Sequence, residues 1–453
     1  MIYETDSRLV KPGQIFVAIK GHTVDGHDYI DDAIKNGAST VVGEKDLTLS
    51  VPYIKVEDSE KYLQEEIVKK YKKDLDEIEF IGVTGTNGKT TTCYLTYQLL
   101  KLLKKDVAYI GTIGFYYQDE IITLNNTTPD ILTLYKLLLS AKKKNCHTIV
   151  MEVSSHALDL NRVAGITFKV AGFTNLTQDH LDYHKTMDNY LNAKLKILDH
   201  LNSDSVFITN IDDKYGDYFK KFPNTKTYGK DNADYKIINE DISPSNTTIT
   251  FSHNNEAFKV TTNLTSDFNV YNYMLSLAIV NSLNFDINTI IDITKNIYPP
   301  KGRCETIKVK DSFAVIDYAH TPDAVEKIIE AYNKLKKGKL YTIVGCGGDR
   351  DKTKRPIMGN IACKLSDYCI FTSDNPRTED PLLILKDITN DLEYNNFLVI
   401  PDRKEAIIKA LKKLKKDDIL LILGKGHENY QIIGHTKHHF DDAEIVNDYK
   451  ANC

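Results

Sequence analysis

The stretch Ile81-Gly82-Val83-Thr84-Gly85-Thr86-Asn87-Gly88-Lys89-Thr90-Thr91-Thr92, IGVTGTNGKTTT, decides the fold. An apolar run leads into a turn on Gly85 and Gly88, and the chain then enters a helix at Lys89-Thr90. Glycines let backbone N–H groups close around phosphate oxygens, and the helix N-terminus adds partial positive charge. In such a loop Lys89 reaches the terminal phosphates and the Thr90 hydroxyl coordinates Mg²⁺. The usual spacing places a glycine at position 83, which is valine here, with Gly82 one residue early. This is therefore a variant loop, GTNGKT. A plain Gly-rich turn opening a helix is the alternative; Lys-Thr at the turn and the strand before it argue against that.

Outward from the loop, apolar runs alternate with amphipathic stretches over residues 78–299: EFIGVTG, DVAYIGT, CHTIVMEV, FKVAGFTNL and SVFITNI. That rhythm predicts a largely parallel sheet with crossover helices. Residues 1–77 read as a small α/β unit. IFVAIK (15–20) and STVVGE (39–44) are its strands, and YIDDAIKNG is a helix ending at Gly37. NIYPPKGRCE (296–305) marks a boundary, because two prolines interrupt both helix and strand. Residues 300–453 restart the pattern with FAVIDYAH, LYTIVGCGG, YCIFTSDN and DILLILGKG, a doubly wound reading. The expected architecture is α/β in three domains: a small N-terminal one, a central P-loop ATPase domain and a C-terminal Rossmann-like one.

With 453 residues, two to four domains are expected. A hydrophobic content of 42% with 27% charged residues describes a soluble globular chain. The net charge of −5 lacks the basic footprint of nucleic-acid binders. Seven scattered cysteines with no CxxC pair argue against a zinc or disulfide framework and for a reducing cytoplasm. The chain opens with no signal peptide, and no apolar run approaches membrane-spanning length.

Glu152, in TIVMEVSSHAL, ends a strand beside the loop, where an acid can hold Mg²⁺ directly or through water. TNLTQDHLDYHKTMDNYLNAKLKIL (174–198) then crowds Asp179, His180, Asp182 and His184 together, with Lys194 in a helix beyond. Each alone is an ordinary polar loop residue; clustered after a strand of the same sheet they form a candidate metal site. Lys194 is the odd member, since a cation repels Mg²⁺. A neutral lysine can add CO₂ to give an anionic carbamate, a step that sequence alone would not suggest.

TGTNGKTTT, MEVSSH, FTNLTQDHLDYH and the following NAK resemble the Mur ligase family. The likeness continues through DFNVYN (267–272), KGRCE (301–305), DYAHTPD (317–323), CGGDRDKTKRP (346–356), SDNPRTEDP (373–381) and LGKGHENYQ (423–431), and takes in TDSR (5–8) and GHTVDG (21–26). The resemblance implies a monomeric ATP-dependent ligase that adds amino acids to the peptide of the bacterial cell-wall precursor. It implies a uridine-nucleotide site at Thr5, Ser7, His22, Thr23 and Val24, and a grip on the muramoyl substrate by Asn126, Thr127, Thr128, Ser154 and Arg162. Leu160 stands where some members carry glutamine, so that contact is not carried over. ATP is implied at Gly85, Thr86, Asn87, Gly88, Lys89, Thr90 and Thr91, with Asn269, Asn272, Arg303, Asp317 and His320. Thr90, Glu152, His180 and carbamylated Lys194 are implied around two Mg²⁺ ions, with Lys89, His180 and Lys194 catalytic. TDSR lies almost at residue 5, where members usually carry a segment ahead of it. Either the start codon is misplaced or the uridine-binding domain is trimmed.

Arg377 in SDNPRTEDP is the implied amino-acid selector. Members with this motif read the distal carboxylate of meso-diaminopimelate, which lysine lacks, and a guanidinium fork suits a carboxylate. The accompanying positions are Arg350, Asp374, Asn375, Pro376, Gly424 and Glu428, with Asp374 and Glu428 able to face the distal ammonium. The implied reaction joins meso-diaminopimelate to the D-glutamate of UDP-MurNAc-L-Ala-D-Glu through an acyl phosphate. Addition of L-lysine or another diamino acid, a folylpolyglutamate-synthetase-like ligase and a non-catalytic scaffold are the alternatives. TDSR, GHTVDG and DNPR oppose the second; intact Lys89, Thr90, Glu152, His180 and Lys194 oppose the third.

Overall fold

The computed structural model describes every residue except His22, Thr23, Asp391 and Cys453. The chain divides into two compact units: residues 1–93, 100–209 and 213–226 form the first, and 94–99, 210–212 and 227–453 the second.

The first unit opens with a four-stranded parallel sheet, in the order Tyr3–Glu4, Ile15–Val17, Thr40–Gly43, Tyr53–Lys55. The helix expected before Gly37 spans Ile30–Lys35, and Gly37 takes φ +102°, the left-handed geometry that ends a helix cheaply. Larger strands follow in the order Val206–Asn210, Phe168–Phe173, Glu79–Thr84, Thr148–Glu152, Val107–Gly111. All of these pairings are parallel. Their side chains are almost continuously buried, which explains why each reads as an unbroken apolar run. An antiparallel hairpin, Gly114–Tyr117 and Glu120–Ile122, completes that edge. One apolar core runs from Tyr3, Val17 and Leu63 through Phe80, Leu134 and Tyr135 to Phe207 and Phe219.

Within this sheet Glu79–Thr84 lies between Phe168–Phe173 and Thr148–Glu152, so the connections run out from it in both directions. That is the switch point at whose carboxyl end α/β sheets bind ligands. The phosphate loop leaves the strand there. Gly82 serves packing rather than the loop: a Cβ on it would meet the Phe168 ring at 2.7 Å.

The second unit contains an antiparallel meander of Tyr235–Ile242, Thr247–His253 and Glu256–Thr262, followed by helices Asp267–Ser282 and Ile287–Thr294. The sequence reading did not anticipate the meander. Its strands alternate polar and apolar residues, and the last turn carries Asn254 and Asn255 at φ 50° and 65°, the hairpin geometry that asparagine tolerates. A six-stranded sheet then runs Glu305–Val309, Ser312–Asp317, Ile419–Leu423, Leu340–Val344, Tyr368–Phe371, Phe397–Val399. It is parallel apart from its first strand. Two separate apolar clusters line it, one around Val325, Ile329, Met358 and Leu385, the other around Ile407, Leu411, Ile445 and Val446. This is the doubly wound arrangement expected for residues 300–453. No helix among the described residues is long and apolar enough to cross a membrane.

Candidate active site

In the first unit the phosphate loop is fixed from outside by the strand end Thr174–Thr177. Asn175 accepts Thr86 N–H on its carbonyl at 2.8 Å and Asn87 N–H on its side chain at 3.0 Å. Thr174 Oγ1 donates to the Asn87 carbonyl at 2.7 Å. Gly85 is forced: its φ is +146°, and a Cβ would sit 1.8 Å from Thr174 Oγ1. Lys89 Nζ donates back to the carbonyls of Gly85 and Thr86, both at 2.8 Å.

Lys194 arrives at the same carbonyl. Its Nζ donates to Gly85 O at 2.7 Å, the side chain is 1% exposed, and the amine lies 4.5 Å from the Tyr190 ring centre. Burial first, and the charge of Lys89 second, drive its pKa well below the ordinary lysine value. A lowered pKa makes the neutral amine, the form that adds CO₂, easier to reach, which weakens the objection to a cation at this position.

Glu152 is fully buried at the end of its strand and gathers four donors. Tyr109 O–H donates to Oε1 at 2.5 Å, Thr112 N–H to Oε1 at 2.8 Å, Thr90 Oγ1 to Oε2 at 2.9 Å and Thr112 Oγ1 to Oε2 at 3.2 Å. Gly111 allows this approach, since a Cβ there would lie 2.2 Å from Glu152 Oε1. Two oxygen donors suited to a hard cation, the Thr90 hydroxyl and the Glu152 carboxylate, therefore stand together beside the loop. Among the described residues no three His, Cys, Asp or Glu side chains form a metal cluster on their own.

Residues 155–184 contribute a knot of rings. His156 lies against Tyr183, His180 and His184 at centroid distances of 4.3, 5.0 and 5.4 Å. Burial, followed by the neighbouring imidazoles, lowers the pKa of His156 to about 4. Burial also lowers that of His180, and Asp179 partly opposes it. His184 Nε2 pairs with Ser155 Oγ at 2.9 Å, a structural use of that ring.

A cavity of about 660 Å³ also lies in the first unit, lined by Thr5, Ser7, Val24 and Arg162 among the residues expected to meet the uridine substrate, and by Asp6, Arg8 and Gln64 besides. His22 and Thr23 lie outside the described residues. Three other expected contacts have internal duties. Thr128 Oγ1 bonds the Glu152 carbonyl at 2.8 Å, and Ser154 Oγ caps the following helix by accepting Ala157 N–H at 3.1 Å. Thr127 pairs with Thr112 at 3.0 Å.

In the second unit, Asn269 and Asn272 are buried, and their amides bond Thr265 O at 2.8 Å and Asn269 Oδ1 at 2.9 Å. Arg303 stacks its guanidinium 4.7 Å from the Tyr318 ring centre. Asp317 accepts N–H bonds from Cys304 and Ala319, both at 2.8 Å, while burial raises its pKa.

Three strand-end loops meet at the carboxyl edge of the six-stranded sheet. Arg377 takes φ +53°, unusual for a side chain of its size. Its backbone is pinned on both sides: its N–H donates to Ile432 O at 3.0 Å, and Gly434 N–H donates to its carbonyl at 2.7 Å. Its Nη1 donates to Gly348 O at 2.8 Å, and a Cβ on Gly347 would lie 2.8 Å from that nitrogen, so a side chain there would push the guanidinium aside. Asn375 Nδ2 donates to Glu428 Oε2 at 2.8 Å. Asp374 and Asn375 are buried, Arg377 is half-buried, and Arg350 is exposed with a bond to Asp349 O.

Models of the Mur ligase family cover residues 2–85 (catalytic domain), 83–280 (middle domain) and 302–426 (glutamate ligase domain). A UDP-N-acetylmuramoyl-L-alanyl-D-glutamate--2,6-diaminopimelate ligase of Bacillus cereus is 42% identical, with 98% of this chain and 92% of the relative covered. The chain belongs to the Mur ligase family. A ligase of the same name from Clostridium acetobutylicum is 43% identical over 98% of this chain and 93% of its own. A solved structure of a UDP-N-acetylmuramoyl-L-alanyl-D-glutamate--2,6-diaminopimelate ligase superposes with TM-score 0.73 at 32% identity, covering 99% of this chain and 94% of that one.

The sequence reading of this Mur ligase overlooked several structural partners. Tyr109 and Thr112 hold Glu152; they come from a different strand end and carry no motif. Arg355 is fully buried and grips Glu379 with both terminal nitrogens at 2.9 and 3.0 Å, locking the GGDRD and DNPRTED loops together. Lys425, inside the quoted LGKGHE, is also fully buried.

Proposed function

We propose that this Mur ligase is an ATP-dependent acid–amino-acid ligase that joins meso-diaminopimelate to the D-glutamate of UDP-MurNAc-L-Ala-D-Glu, in the cytoplasmic synthesis of peptidoglycan precursor. One observation carries the choice of amino acid: a half-buried arginine, held in a strained backbone geometry by two backbone hydrogen bonds, at the strand end of DNPR. The named relatives, which share 42–43% of their residues with this chain, support it. The division of labour we propose is a uridine-substrate segment over 1–77, an ATP segment over 78–299 and an amino-acid segment over 300–453.

In this reading the glutamyl side-chain carboxylate attacks the γ-phosphorus of ATP, giving an acyl phosphate and ADP. The amine of the incoming amino acid then attacks the acyl carbon, loses a proton and expels inorganic phosphate, leaving an amide. The backbone N–H groups of residues 85–91 and the Lys89 ammonium cradle the transferring phosphoryl group, so the protein supplies positioning and charge. Lys89 must then exchange its bonds to Gly85 O and Thr86 O for phosphate oxygens. Thr90, Glu152, His180 and Lys194 as its carbamate would hold Mg²⁺, which adds positive charge at the phosphoryl group when bound; the oxygen-rich pair Thr90–Glu152 supports that fit. Asn269, Asn272, Arg303, Asp317 and His320 remain the proposed contacts for the rest of the nucleotide. Thr5, Ser7, Val24 and Arg162 remain those for the uridine substrate.

Arg377→Ala tests the reading. With the distal carboxylate bound, Arg377 would be one member of a buried charge pair, whose loss costs about 3–5 kcal/mol, roughly 10²- to 4 × 10³-fold in efficiency with meso-diaminopimelate. Binding of the uridine substrate is expected to persist. A variant that keeps wild-type efficiency with meso-diaminopimelate would refute the role of Arg377.

A further inference from the structure

Beside the proposed amino-acid pocket lies a further charged group, the side chain of Lys425. Lys425 is fully buried, and long cations are almost never buried without partners. Its Nζ lies 3.2 Å from Asn375 Oδ1, 3.4 Å from Glu428 Oε2 and 3.9 Å from Asp374 Oδ1. The neighbouring glycines permit the backbone path that takes it there. Gly424 takes φ +111°, and a Cβ on it would lie 2.5 Å from Asp374 Oδ2. Gly426 takes φ +52°, with a Cβ position 2.6 Å from the Tyr318 side chain.

The two carboxylates thus share one built-in cation. Asp374, Glu428 and Lys425 together carry one formal negative charge, which matches a single ammonium. Adding Arg377, and leaving out Arg350, which is exposed and bonded to Asp349 O, brings the buried group to neutrality, which matches the distal end of an amino acid bearing both an ammonium and a carboxylate. Without Lys425 the same walls would carry one excess negative charge. They would then favour a distal end with an ammonium alone, and like charges around a carboxylate would oppose it.

We infer that Lys425 is a positioning residue that sets the charge balance of the amino-acid pocket, and so biases it toward a zwitterionic distal group over a cationic one. This rests on reading the three strand-end loops as the amino-acid pocket. The geometry already assigns Lys425 a second effect in the same direction: by donating to Asn375 Oδ1 it helps hold the amide whose Nδ2 bonds Glu428.

The test compares full-length wild type, Lys425→Met and Lys425→Arg, each checked for folding by thermal denaturation. The readout is the ratio of kcat/KM for meso-diaminopimelate to that for L-lysine, with ATP and the uridine dipeptide substrate saturating. Lys425→Met is expected to move the ratio toward lysine by about tenfold or more. Lys425→Arg, which keeps the charge, is expected to stay within about threefold of wild type. The KM values for ATP and for the uridine substrate should not change in either. If Lys425→Met does not fold, Lys425→Gln takes its place. A ratio unchanged in the neutral variant, equal loss of both amino acids, or the same shift in Met and Arg variants overturns the inference. A wild type that does not use meso-diaminopimelate would instead overturn the reading beneath it.

Discussion

Replacing Lys194 by alanine separates two demands on one buried side chain. In the fold its amine is 1% exposed, 2.7 Å from Gly85 O, and depressed well below the usual lysine pKa by burial and by Lys89. If the neutral amine carries CO₂ as a carbamate, alanine removes an anionic oxygen ligand that would hold Mg²⁺ next to the phosphate loop. Loss of one such group typically costs about 10²–10³-fold in kcat. Truncation also leaves a small cavity beside Tyr190, open at its inner end to the Gly85 carbonyl. A short carboxylate such as formate or acetate can occupy that space and restore part of the activity. The assay is ADP release dependent on the uridine substrate, with and without added carboxylate, on protein shown to be folded. A wild-type rate in Lys194→Ala would refute the reasoning, as would a folded, inactive variant that no short carboxylate rescues. Stability supplies an independent check. In CO₂-free buffer the unfolded chain binds a proton at Lys194 below its ordinary pKa of 10.5, while the folded chain does not until a lower pH. The wild type therefore loses stability relative to Lys194→Met as pH falls from that value toward the folded pKa, and the gap is constant below it. Parallel stability–pH curves for the two proteins would contradict the buried neutral amine.

Two further outcomes follow from the loop and its acid. Gly85→Ala is expected to abolish ATP turnover while leaving the protein folded, because a Cβ cannot be placed 1.8 Å from Thr174 Oγ1 without moving the loop; full ATPase activity in the variant would contradict this. Tyr109→Phe removes one of four donors to the buried Glu152 carboxylate, and hydrogen bonds to charged groups are worth about 1.5–3 kcal/mol. Urea denaturation should show a loss of that order, and an unchanged midpoint would mean the bond contributes nothing net.

Much of this fold was legible because its sheets are parallel and buried on both faces. EFIGVTG, CHTIVMEV and DILLILGKG each became a strand of the expected kind, since a doubly covered strand must be apolar throughout. The meander over residues 235–262 was missed for the converse reason. One face of it is solvated, and YKIINEDI reads as a polar stretch unless its alternation is weighed. The phosphate loop was readable because glycine geometry and Lys-Thr chemistry are local. The support of Glu152 was not, because Tyr109 and Thr112 meet it across strands. Lys194 could be interpreted through family resemblance, and the structure adds the burial that makes its neutral form reasonable. Arg377 was singled out through the family motif DNPR; the structure supplies its strained, pinned backbone. Lys425 did not stand out, since a lysine between glycines looks like a solvated turn until its burial is known.

The most direct measurement is a competition. Purified enzyme, ATP, Mg²⁺ and UDP-MurNAc-L-Ala-D-Glu are incubated with equal concentrations of meso-diaminopimelate and L-lysine, and the nucleotide-tripeptide products are separated by mass. The diaminopimelate product is expected in large excess, with one ADP and one phosphate released per amide. Lysine product at a comparable rate would contradict it.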